Sequence, residues 1–393
     1  MNKIELVKDV YAVGVKDWNI KNFHGYAITL GITYNAYVVK GSEKVALIDT
    51  VKEKFTDEYI ARVKATTDLD KVDYVICNHV EMDHSGAIPH LMKLLRKDAI
   101  LVTSMKGKEN LEAHYDMNGV NIQVVKTGDI LSLGDRNFKF VNTPMLHWPD
   151  SMETYLIEDK ILFSNDGFGQ HYTGEMYFDD RDECVIFDQA AKYYANILQL
   201  FDKPANAALN ILKDVEINMI APAHGVIFRK KENIEKILKK YQEWANGVNQ
   251  NKAVVIYDSM WGATEIMADK VKEAFEDKGV EVIFRSARDH EFSDIAKDIL
   301  EAKYIAIGSA TLNNGLMPNI IRILGYFEGL KPLNKKGFAF GSYGWKGDVL
   351  TKVENFFDAV KWEKMAPYCA LKYRPKEDGL KGLYDTVYNN IKD

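Results

Sequence analysis

Cysteine is scarce in this sequence, and its few thiols are widely separated. The 393 residues include three cysteines, Cys77, Cys184 and Cys369, and no Cys-x-x-Cys pair. This spacing excludes a disulfide framework and any four-thiolate metal module of the rubredoxin, zinc-ribbon or ferredoxin type. So little cysteine is typical of proteins in a reducing compartment, and we therefore expect a cytoplasmic protein.

Long apolar runs and a strong excess of one charge are also missing. No 18 consecutive apolar residues occur, and charges such as Lys3, Glu5 and Lys8 interrupt the first residues. We therefore expect neither a membrane-spanning helix nor an export signal. The net charge of −6 and the isoelectric point near 5.9 give no footprint of nucleic-acid binding, so we expect no nucleic-acid partner and no membrane partner.

The composition and the length predict more than one globular domain. Hydrophobic residues make up 47% of the chain and charged residues 27%, which excludes extensive disorder. A chain of this length is expected to form two or three domains. The polar stretch 242–252 is typical of a linker, so we divide the chain into residues 1–250 and 251–393.

The two parts differ in the order of their strand and helix patterns. The first opens with short β-rich runs such as Tyr34–Val39 and Val45–Asp49, followed by helical patterns, which predicts a sheet covered by helices on its outer faces. The second alternates strands and helices regularly, which predicts a doubly wound parallel sheet with ligands beyond the carboxyl ends of its strands. Its predicted strands are Ala253–Tyr257, Val280–Phe284, Tyr304–Ile307 and Gly337–Phe340.

Residue types that bind metals are concentrated after predicted strands of the first part. Residues 79–84 read His-Val-Glu-Met-Asp-His and directly follow an apolar run, so four possible ligands fall within six positions. Such a density is rare by chance, whereas a single His or Asp after a strand is usually a loop or core residue. Three single residues of that kind nevertheless occur in similar contexts, so one edge of the sheet could gather all of them. The seven candidate ligands are His79, Glu81, Asp83, His84, His147, Asp166 and His224.

The spacing of these residues resembles the metallo-β-lactamase fold, which implies an N-terminal αββα sandwich. The metal loop of that fold usually reads His-x-His-x-Asp-His, and Glu81 stands here where the hydrolases have the second His. Four imidazoles and three carboxylates without a thiolate suit iron or manganese better than zinc. Three carboxylates also offset the charge of two metal ions, and the two oxygens of Asp166 can span a metal pair.

Three loops of small and hydroxyl-bearing residues follow predicted strands of the second part. The first, residues 259–264, opens a helix and offers backbone N–H groups and hydroxyls to a phosphate. The other two, 309–314 and 342–347, offer close backbone approach to a flavin ring and the aromatic surfaces of Tyr343 and Trp345. The set resembles the FMN site of a flavodoxin. The candidate FMN contacts are Ser259, Met260, Trp261, Gly262, Ala263, Thr264, Ser309, Ala310, Thr311, Leu312, Asn313, Asn314, Ser342, Tyr343, Gly344, Trp345, Lys346 and Gly347.

Joined in this order, the two parts are similar to the flavodiiron proteins, also called A-type flavoproteins, over essentially the whole chain. The resemblance implies FMN, two iron ions, and an oxidoreductase that reduces dioxygen to water, nitric oxide to nitrous oxide, or both, and so detoxifies these gases. His84 is the least secure ligand, because some members leave that histidine off the metal. By this resemblance His79, Glu81 and His147 bind one iron, Asp83, His84 and His224 bind the other, and Asp166 bridges them.

The same resemblance implies partners. It implies a head-to-tail homodimer, or a dimer of dimers, in which the flavin of one subunit faces the iron of the other. The external electron donor would be a rubredoxin-type protein or, as in methanogen relatives, a reduced deazaflavin. Nothing in the sequence indicates whether dioxygen or nitric oxide is the preferred substrate, because both gases would bind at the same metal ligands.

Some residues and two other functions stay open at this stage. His24 and His171 could line the gas pocket or supply protons, although a structural histidine is an equal interpretation for each. Asp49, at a strand end, could orient a metal ligand by accepting its second imidazole N–H. The alternatives are a zinc-dependent hydrolase of thioesters or lactones fused to a flavodoxin, which Glu81 and the flavin loops disfavour, and a plain electron carrier whose first part is only a scaffold.

Overall fold

The computed structural model describes residues 4–392 and contains two compact units. The first unit comprises residues up to Tyr193 together with Phe201–Gln242. The second comprises Tyr194–Leu200 and the residues from Glu243 onward. The short segment 194–200 therefore belongs to the second unit although it lies within the sequence of the first, and no change of composition marks it.

The boundary between the two units falls within a helix, after Gln242, and the predicted linker 242–252 contains little irregular structure. A helix continues to Ala245 and the next strand begins at Gln250, so only residues 246–249 lie between them. None of the helices over residues 4–392 has the length and apolar character needed to cross a bilayer.

The first unit alternates short strands with helices that bury one face. In α1, for example, Tyr59, Ile60 and Val63 recur at helical spacing and are buried, while acidic side chains begin the helix. The strands are β1 (Ile4–Val7), β2 (Val10–Ala12), β3 (Val15–Asp17), β4 (Asn22–Phe23), β5 (Tyr26–Ala27), β6 (Ile32–Tyr34), β7 (Tyr37–Lys40), β8 (Val45–Ile48), β9 (Val72–Ile76), β10 (Ile100–Thr103), β11 (Asn121–Val124), β12 (Ile130–Ser132), β13 (Asn137–Asn142), β14 (Met152–Leu156), β15 (Ile161–Phe163) and β16 (Met219–Ile220). The helices are α1 (Thr56–Thr66), α2 (Met82–Ser85), α3 (Ile88–Leu94), α4 (Met105–His114), α5 (Glu183–Tyr193), α6 (Asp202–Leu212) and α7 (Lys231–Ala245).

Two sheets face each other in this unit. One has the order β1-β2-β7-β8-β9-β10-β11 and the other the order β12-β13-β14-β15-β16. Apolar side chains from the inner faces, such as Ile76 of the first sheet and Phe138 and Phe163 of the second, form one buried cluster. Alternate residues such as Leu47 and Val75 point the other way and are also buried. This arrangement confirms the β-lactamase-like sandwich.

The second unit is a parallel sheet with helices on both faces. Val254 and Ile305 pack with α9, α10 and α11 on one face, and Val255 and Ala306 pack with α8 and α12 on the other. These elements are β17 (Gln250–Asp258), α8 (Ala263–Glu276), β18 (Glu281–Ser286), α9 (Phe292–Leu300), β19 (Ala302–Ser309), α10 (Pro318–Leu330), β20 (Lys336–Tyr343), α11 (Thr351–Ala359), β21 (Glu363–Lys364), β22 (Cys369–Lys372) and α12 (Glu377–Asn390).

The strand order of this sheet is that of the flavodoxins. It runs β18-β17-β19-β20, and both β21 and β22 pair with the outer edge of β20, all in parallel. Counted along the chain, the order is 2-1-3-4-5, with its switch point between the first and third strands. The predicted doubly wound sheet is therefore confirmed, and its ligand-binding edge is the one that carries the three predicted loops.

Glu153 is a buried acid on β14, and it makes the stability of the first unit depend on pH. Its side chain is 1% exposed, and burial raises the pKa of its carboxyl from 4.5 to about 8. The folded state thus favours the neutral acid. The contribution of Glu153 to the free energy of unfolding is fully present below pH 4.5 and falls as the pH rises toward 8.

We expect Glu153→Gln to raise the unfolding temperature measured by calorimetry, by an increment that grows between pH 5 and pH 8. The exposed control Glu112→Gln should show no such increment, and an equal effect of Glu153→Gln at both pH values would contradict the prediction.

Candidate metal centre and cofactor pocket

The seven candidate ligands lie at the carboxyl ends of strands from both sheets of the first unit. One ligand follows β9, three lie in the next turn and in α2, and one each follows β13, β15 and β16. These strands end at the same edge of the sandwich, because β13, β15 and β16 share one direction. All the ligands except Glu81, which is half-buried, are buried. The structure therefore brings together residues that lie as far apart in sequence as His79 and His224.

The ligand side chains form two groups. Within each group the potential ligand atoms lie within 4.8 Å of one another, which is close enough for one metal ion to contact all of them. The first group is His79, Glu81, His147 and Asp166, and the second group is Asp83, His84 and His224.

Asp166 faces both groups with different oxygens. Its Oδ2 lies 3.5 Å from Nε2 of His79 and 3.2 Å from Nε2 of His147. Its Oδ1 lies 3.4 Å from Nε2 of His84 and 3.3 Å from Nε2 of His224. One carboxylate thus joins the two ligand groups, which is the geometry that a pair of metal ions with one bridging ligand requires.

Several ligand atoms have no hydrogen-bond partner although they are buried. These atoms are Nε2 of His79, Nε2 of His84, both carboxylate oxygens of Asp83, and Oδ2 of Asp166. A buried polar atom without a partner costs free energy, so a cluster of them indicates a missing partner. Imidazole nitrogens and carboxylate oxygens that face each other are the donor set of a metal centre, and the residues therefore fit two cations.

The charges of the ligands depend on one another. Burial lowers the pKa of His147 and His224, but the carboxylates that face them, Asp166 first, raise it to about 9 and about 10. Burial raises the pKa of Asp166, but the charge of His84 and the other imidazoles that face it hold it well below its ordinary value. The carboxylates stay ionised and need nearby positive charge, which metal cations would provide.

Residues outside the two groups hold the imidazoles in place. Nδ1 of His79 donates to Oδ2 of Asp150 at 2.9 Å, and the N–H of Val80 donates to the same oxygen at 2.7 Å. Nδ1 of His224 donates to the carbonyl oxygen of Thr33 at 2.7 Å. Such contacts leave Nε2 free for the metal and fix the direction in which it points.

Asp150 has the role that the sequence analysis expected for Asp49. The hydrogen bonds of Asp49 come instead from the main-chain N–H of Asn78 at 2.7 Å and from its amide at 3.2 Å. Asp49 therefore fixes the backbone at the start of the metal loop. Asp150 lies in the same connection between β13 and β14 as His147 but belongs to no ligand motif, and the sequence analysis did not single it out.

Replacing Asp150 by Asn should weaken iron binding about 10- to 100-fold, because the ring of His79 loses a charged acceptor. Chelator competition under anaerobic conditions measures this loss. The matched control is Asn110→Ala, which removes a contact at the other oxygen of Asp150 and leaves His79 untouched. Unchanged iron retention in Asp150→Asn would contradict the positioning role.

His24 and His171 both lie beside the metal groups but belong to neither. His24 is partly exposed, and its Nε2 lies 2.6 Å from Oε1 of Glu81. His171 is buried, with Nδ1 2.8 Å from the hydroxyl of Tyr26 and its ring centre 5.8 Å from that of His224. Burial and the charge of His224 lower the pKa of His171 well below its ordinary value, so its imidazole stays neutral.

Tyr193 also touches the centre, and sequence reasoning missed it. Its hydroxyl donates to Oδ1 of Asp166 at 2.8 Å. Burial and the charge of Asp166 raise the pKa of Tyr193 well above its ordinary value, so the phenol keeps its proton as a donor. Tyr193 ends α5 and precedes a π-helical turn, Tyr194–Leu198, a distortion that is frequent near functional sites but has no sequence signature.

A cavity of about 800 Å³ opens at the carboxyl edge of the sheet in the second unit. Its size fits a flavin, and residues of all three predicted loops line it. Trp261 and Trp345 stand at this cavity and are 89% and 87% exposed. Ile266, Tyr373 and Arg374 also line it, although the sequence analysis did not single them out. The predicted contacts that line it are Met260, Trp261, Ala263, Ala310, Thr311, Leu312, Asn313, Asn314, Ser342, Tyr343, Gly344, Trp345 and Lys346, whereas Ser259, Gly262, Thr264, Ser309 and Gly347 do not.

The loop 259–264 offers hydrogen-bond donors to a ligand at the start of α8. Gly262 is the N-cap residue with φ +79°, a conformation that side chains with a Cβ rarely adopt. No side chain caps the helix, and the hydroxyl of Ser259 is buried without a partner. The hydroxyl of Thr264 lies 2.8 Å from that of Ser342, which ties this loop to the third one. Such a helix start fits the phosphate of a flavin nucleotide.

Comparisons with known proteins define the class of each part. Residues 32–225 match the family model described as ODP family beta lactamase, and residues 255–386 match the flavodoxin model. The chain is therefore a metal-binding domain of the β-lactamase type followed by a flavodoxin. Proteins built in this way and similar along their whole length are the flavodiiron proteins, and the chain belongs to this family.

The similarity extends over nearly the full length of individual relatives. A nitric oxide reductase from Moorella thermoacetica is 40% identical over 388 residues, which cover 97% of this chain and 96% of the relative. The structure of rubredoxin:oxygen oxidoreductase from the anaerobe Desulfovibrio gigas matches with a TM-score of 0.94 and 35% identity, over 98% and 97% of the two chains. The flavodiiron protein from Giardia intestinalis matches with a TM-score of 0.93 and 34% identity, over 99% and 96%.

Proposed function

We propose that this protein is a flavodiiron oxidoreductase that reduces dioxygen to water, nitric oxide to nitrous oxide, or both. The observation that carries the proposal is the position of Asp166, whose two oxygens each face one group of buried ligands. Relatives that match along the full chain are named nitric oxide reductase and rubredoxin:oxygen oxidoreductase. The reaction class therefore has support from the chemistry of the site and from the family.

Two iron ions and one FMN are the cofactors that the residues fit. Four imidazoles and three carboxylates form an oxygen-rich set that favours iron over zinc. Glu81 belongs to this set, since its Oε2 lies 3.4 Å from Nε2 of His79 and 3.3 Å from Nε2 of His147. The cavity of the second unit and the unpaired hydroxyl of Ser259 fit FMN. We assign each of the seven residues to the iron that the sequence analysis gave it.

Electrons and protons must both reach the gas. When bound, the two irons and FMN together supply the four electrons that convert one dioxygen to two waters, or the two that convert two nitric oxide molecules to nitrous oxide and one water. The protein must handle four protons in the first case and two in the second. The neutral imidazole of His171 offers one donor and one acceptor beside His224, and His24 lies on the exposed side of Glu81. We propose that these two histidines line the gas pocket or pass these protons.

We propose a rubredoxin-type protein as the external electron donor. The support is the name of the relative from Desulfovibrio gigas, which pairs rubredoxin with oxygen. A reduced deazaflavin is the alternative donor. Stopped-flow reduction of the bound flavin by each donor distinguishes them, and the true donor should reduce it at least as fast as the enzyme turns over.

We further propose that the protein works in the cytoplasm as a head-to-tail homodimer or a dimer of dimers. In that assembly the flavin of one subunit faces the iron of the other, which brings two redox centres from separate domains into contact. Sedimentation velocity should give a dimer or a tetramer at assay concentrations. A fully active monomer would contradict this assembly.

Gas consumption tests the proposed activity directly. The protein is loaded with iron and FMN, reduced rubredoxin is supplied in excess, and the uptake of dioxygen and of nitric oxide is recorded separately with electrodes. We expect turnover with at least one gas, and water or nitrous oxide as the product. A fully loaded protein that consumes neither gas would contradict the proposal.

A further inference from the structure

Asp258 is a buried carboxylate that directly precedes the loop 259–264, which we call the phosphate loop because it fits the phosphate of FMN. It ends β17 and is 1% exposed. Its Oδ1 accepts a hydrogen bond from Nη2 of Arg288 at 3.0 Å, and its Oδ2 accepts one from Nδ2 of Asn319 at 2.9 Å. Arg288 follows β18 and Asn319 lies in the first turn of α10, so one carboxylate holds three segments together.

Arg288 also contacts the phosphate loop itself. The same Nη2 atom donates to the carbonyl oxygen of Ser259 at 2.8 Å, which fixes the first peptide of the loop. The hydroxyl of Ser259 is the buried one that has no partner. Arg288 therefore fixes the main chain at the start of the loop that precedes α8.

The charge of Asp258 works against a phosphate at this place. A phosphate monoester carries a charge between −1.5 and −2 at neutral pH, and a carboxylate beside its loop repels it. The loop 259–264 reads Ser-Met-Trp-Gly-Ala-Thr and contains no cationic side chain. Asp258 forms an ion pair with the guanidinium of Arg288, which offsets this repulsion at its source.

We propose that Arg288 determines the recognition of the phosphate monoester of the flavin, by cancelling the charge of Asp258 and by fixing the peptide of Ser259. The inference rests on the proposed binding of FMN and goes further, because it assigns phosphate recognition to a residue outside the phosphate loop. Riboflavin has the same ring system without the phosphate. The charge of Arg288 should therefore govern the binding of FMN and leave the binding of riboflavin nearly unchanged.

Four variants separate the effect of the charge of Arg288 from the effect of the hydrogen bonds around Asp258. Arg288→Gln removes the positive charge and leaves Asp258 uncompensated, whereas Asn319→Ala removes a neutral hydrogen bond from the same carboxylate. The double variant Asp258→Asn with Arg288→Gln removes both charges and so removes the repulsion. Arg288→Lys keeps the charge and loses the planar guanidinium.

The experiment measures flavin dissociation constants by fluorescence on the full-length protein, after removal of its flavin and with its metal retained. We expect Arg288→Gln to weaken FMN binding about threefold to fivefold, the upper part of the range for a half-exposed charge contact, and riboflavin binding less than about twofold. The loss should shrink at high salt. Arg288→Lys and the double variant should recover most of the FMN affinity, and Asn319→Ala should affect both flavins alike.

Three results would overturn the inference. They are equal weakening of FMN and riboflavin in Arg288→Gln, unchanged FMN binding in that variant, and a double variant that binds FMN no better than Arg288→Gln. The proposed activity is tested separately. A wild-type protein that binds FMN but consumes neither gas would contradict the activity, and the flavin dissociation constants would still test the role of Arg288. Normal gas consumption without any discrimination between the two flavins contradicts only the role of Arg288.

Discussion

Replacing Asp166 by Asn should reduce the iron content from two ions per chain to one or none. Asn keeps the size of the side chain but presents an NH₂ group to one of the two ligand groups that the carboxylate oxygens face. Loss of an outer hydrogen-bond partner already costs about 10- to 100-fold in metal affinity or activity, so loss of the shared ligand should lower gas reduction at least about 100-fold. Elemental analysis and gas electrodes measure the two effects.

Asp179→Asn is the matched control for this variant. Asp179 is an equally buried aspartate, but its carboxylate accepts from the main-chain N–H of Arg229 and the amide of Asn233. Its replacement should leave the iron content unchanged, and both variants should retain FMN because the flavin site lies in the other unit. An Asp166→Asn protein that keeps both irons and the full rate would show that this carboxylate does not bridge.

Replacing Glu81 by His should convert the centre from an iron site toward a zinc site. The change restores the His-x-His-x-Asp-His pattern of the hydrolases and removes the carboxylate that contacts His79 and His147. A more nitrogen-rich set favours zinc, which has no redox chemistry, so gas reduction should fall at least about 100-fold in protein loaded from mixed metals. Metal analysis after growth with both iron and zinc measures the exchange.

Glu81→Gln is the control for size in this second experiment. Gln keeps an oxygen toward the metals and removes the negative charge without adding an imidazole. It should weaken iron binding but should not recruit zinc. If Glu81→His retained iron and the wild-type rate, the ligand chemistry at this position would not account for the choice of metal.

Much of the architecture could be predicted because it depends on local patterns. The apolar runs at Ala253–Tyr257 and Tyr304–Ile307 lie within observed strands, and the regular alternation of strands and helices gave the parallel sheet of the second unit. In the first unit, the candidate ligands lie in the segments that come after apolar runs. Since parallel strands end at the same edge of a sheet, residues from distant segments could be expected to meet there.

The features that could not be predicted depend on contacts between distant segments. Asp150 and Tyr193 support the ligands, but neither belongs to a ligand motif, so only the packed structure shows their partners. Arg374 lines the flavin cavity from the bend after β22, a strand that the sequence analysis did not identify. The assignment of Tyr194–Leu200 to the second unit likewise reflects tertiary packing, which overrides any local preference.

The metal and flavin content of the protein purified without oxygen tests the central claim most directly. Inductively coupled plasma mass spectrometry gives the metals, and the absorbance of the released flavin gives the cofactor. The two ligand groups and the flavin-sized cavity of the second unit predict two irons and one FMN per chain. Two zinc ions and no flavin, even after reconstitution with iron and FMN, would contradict the account.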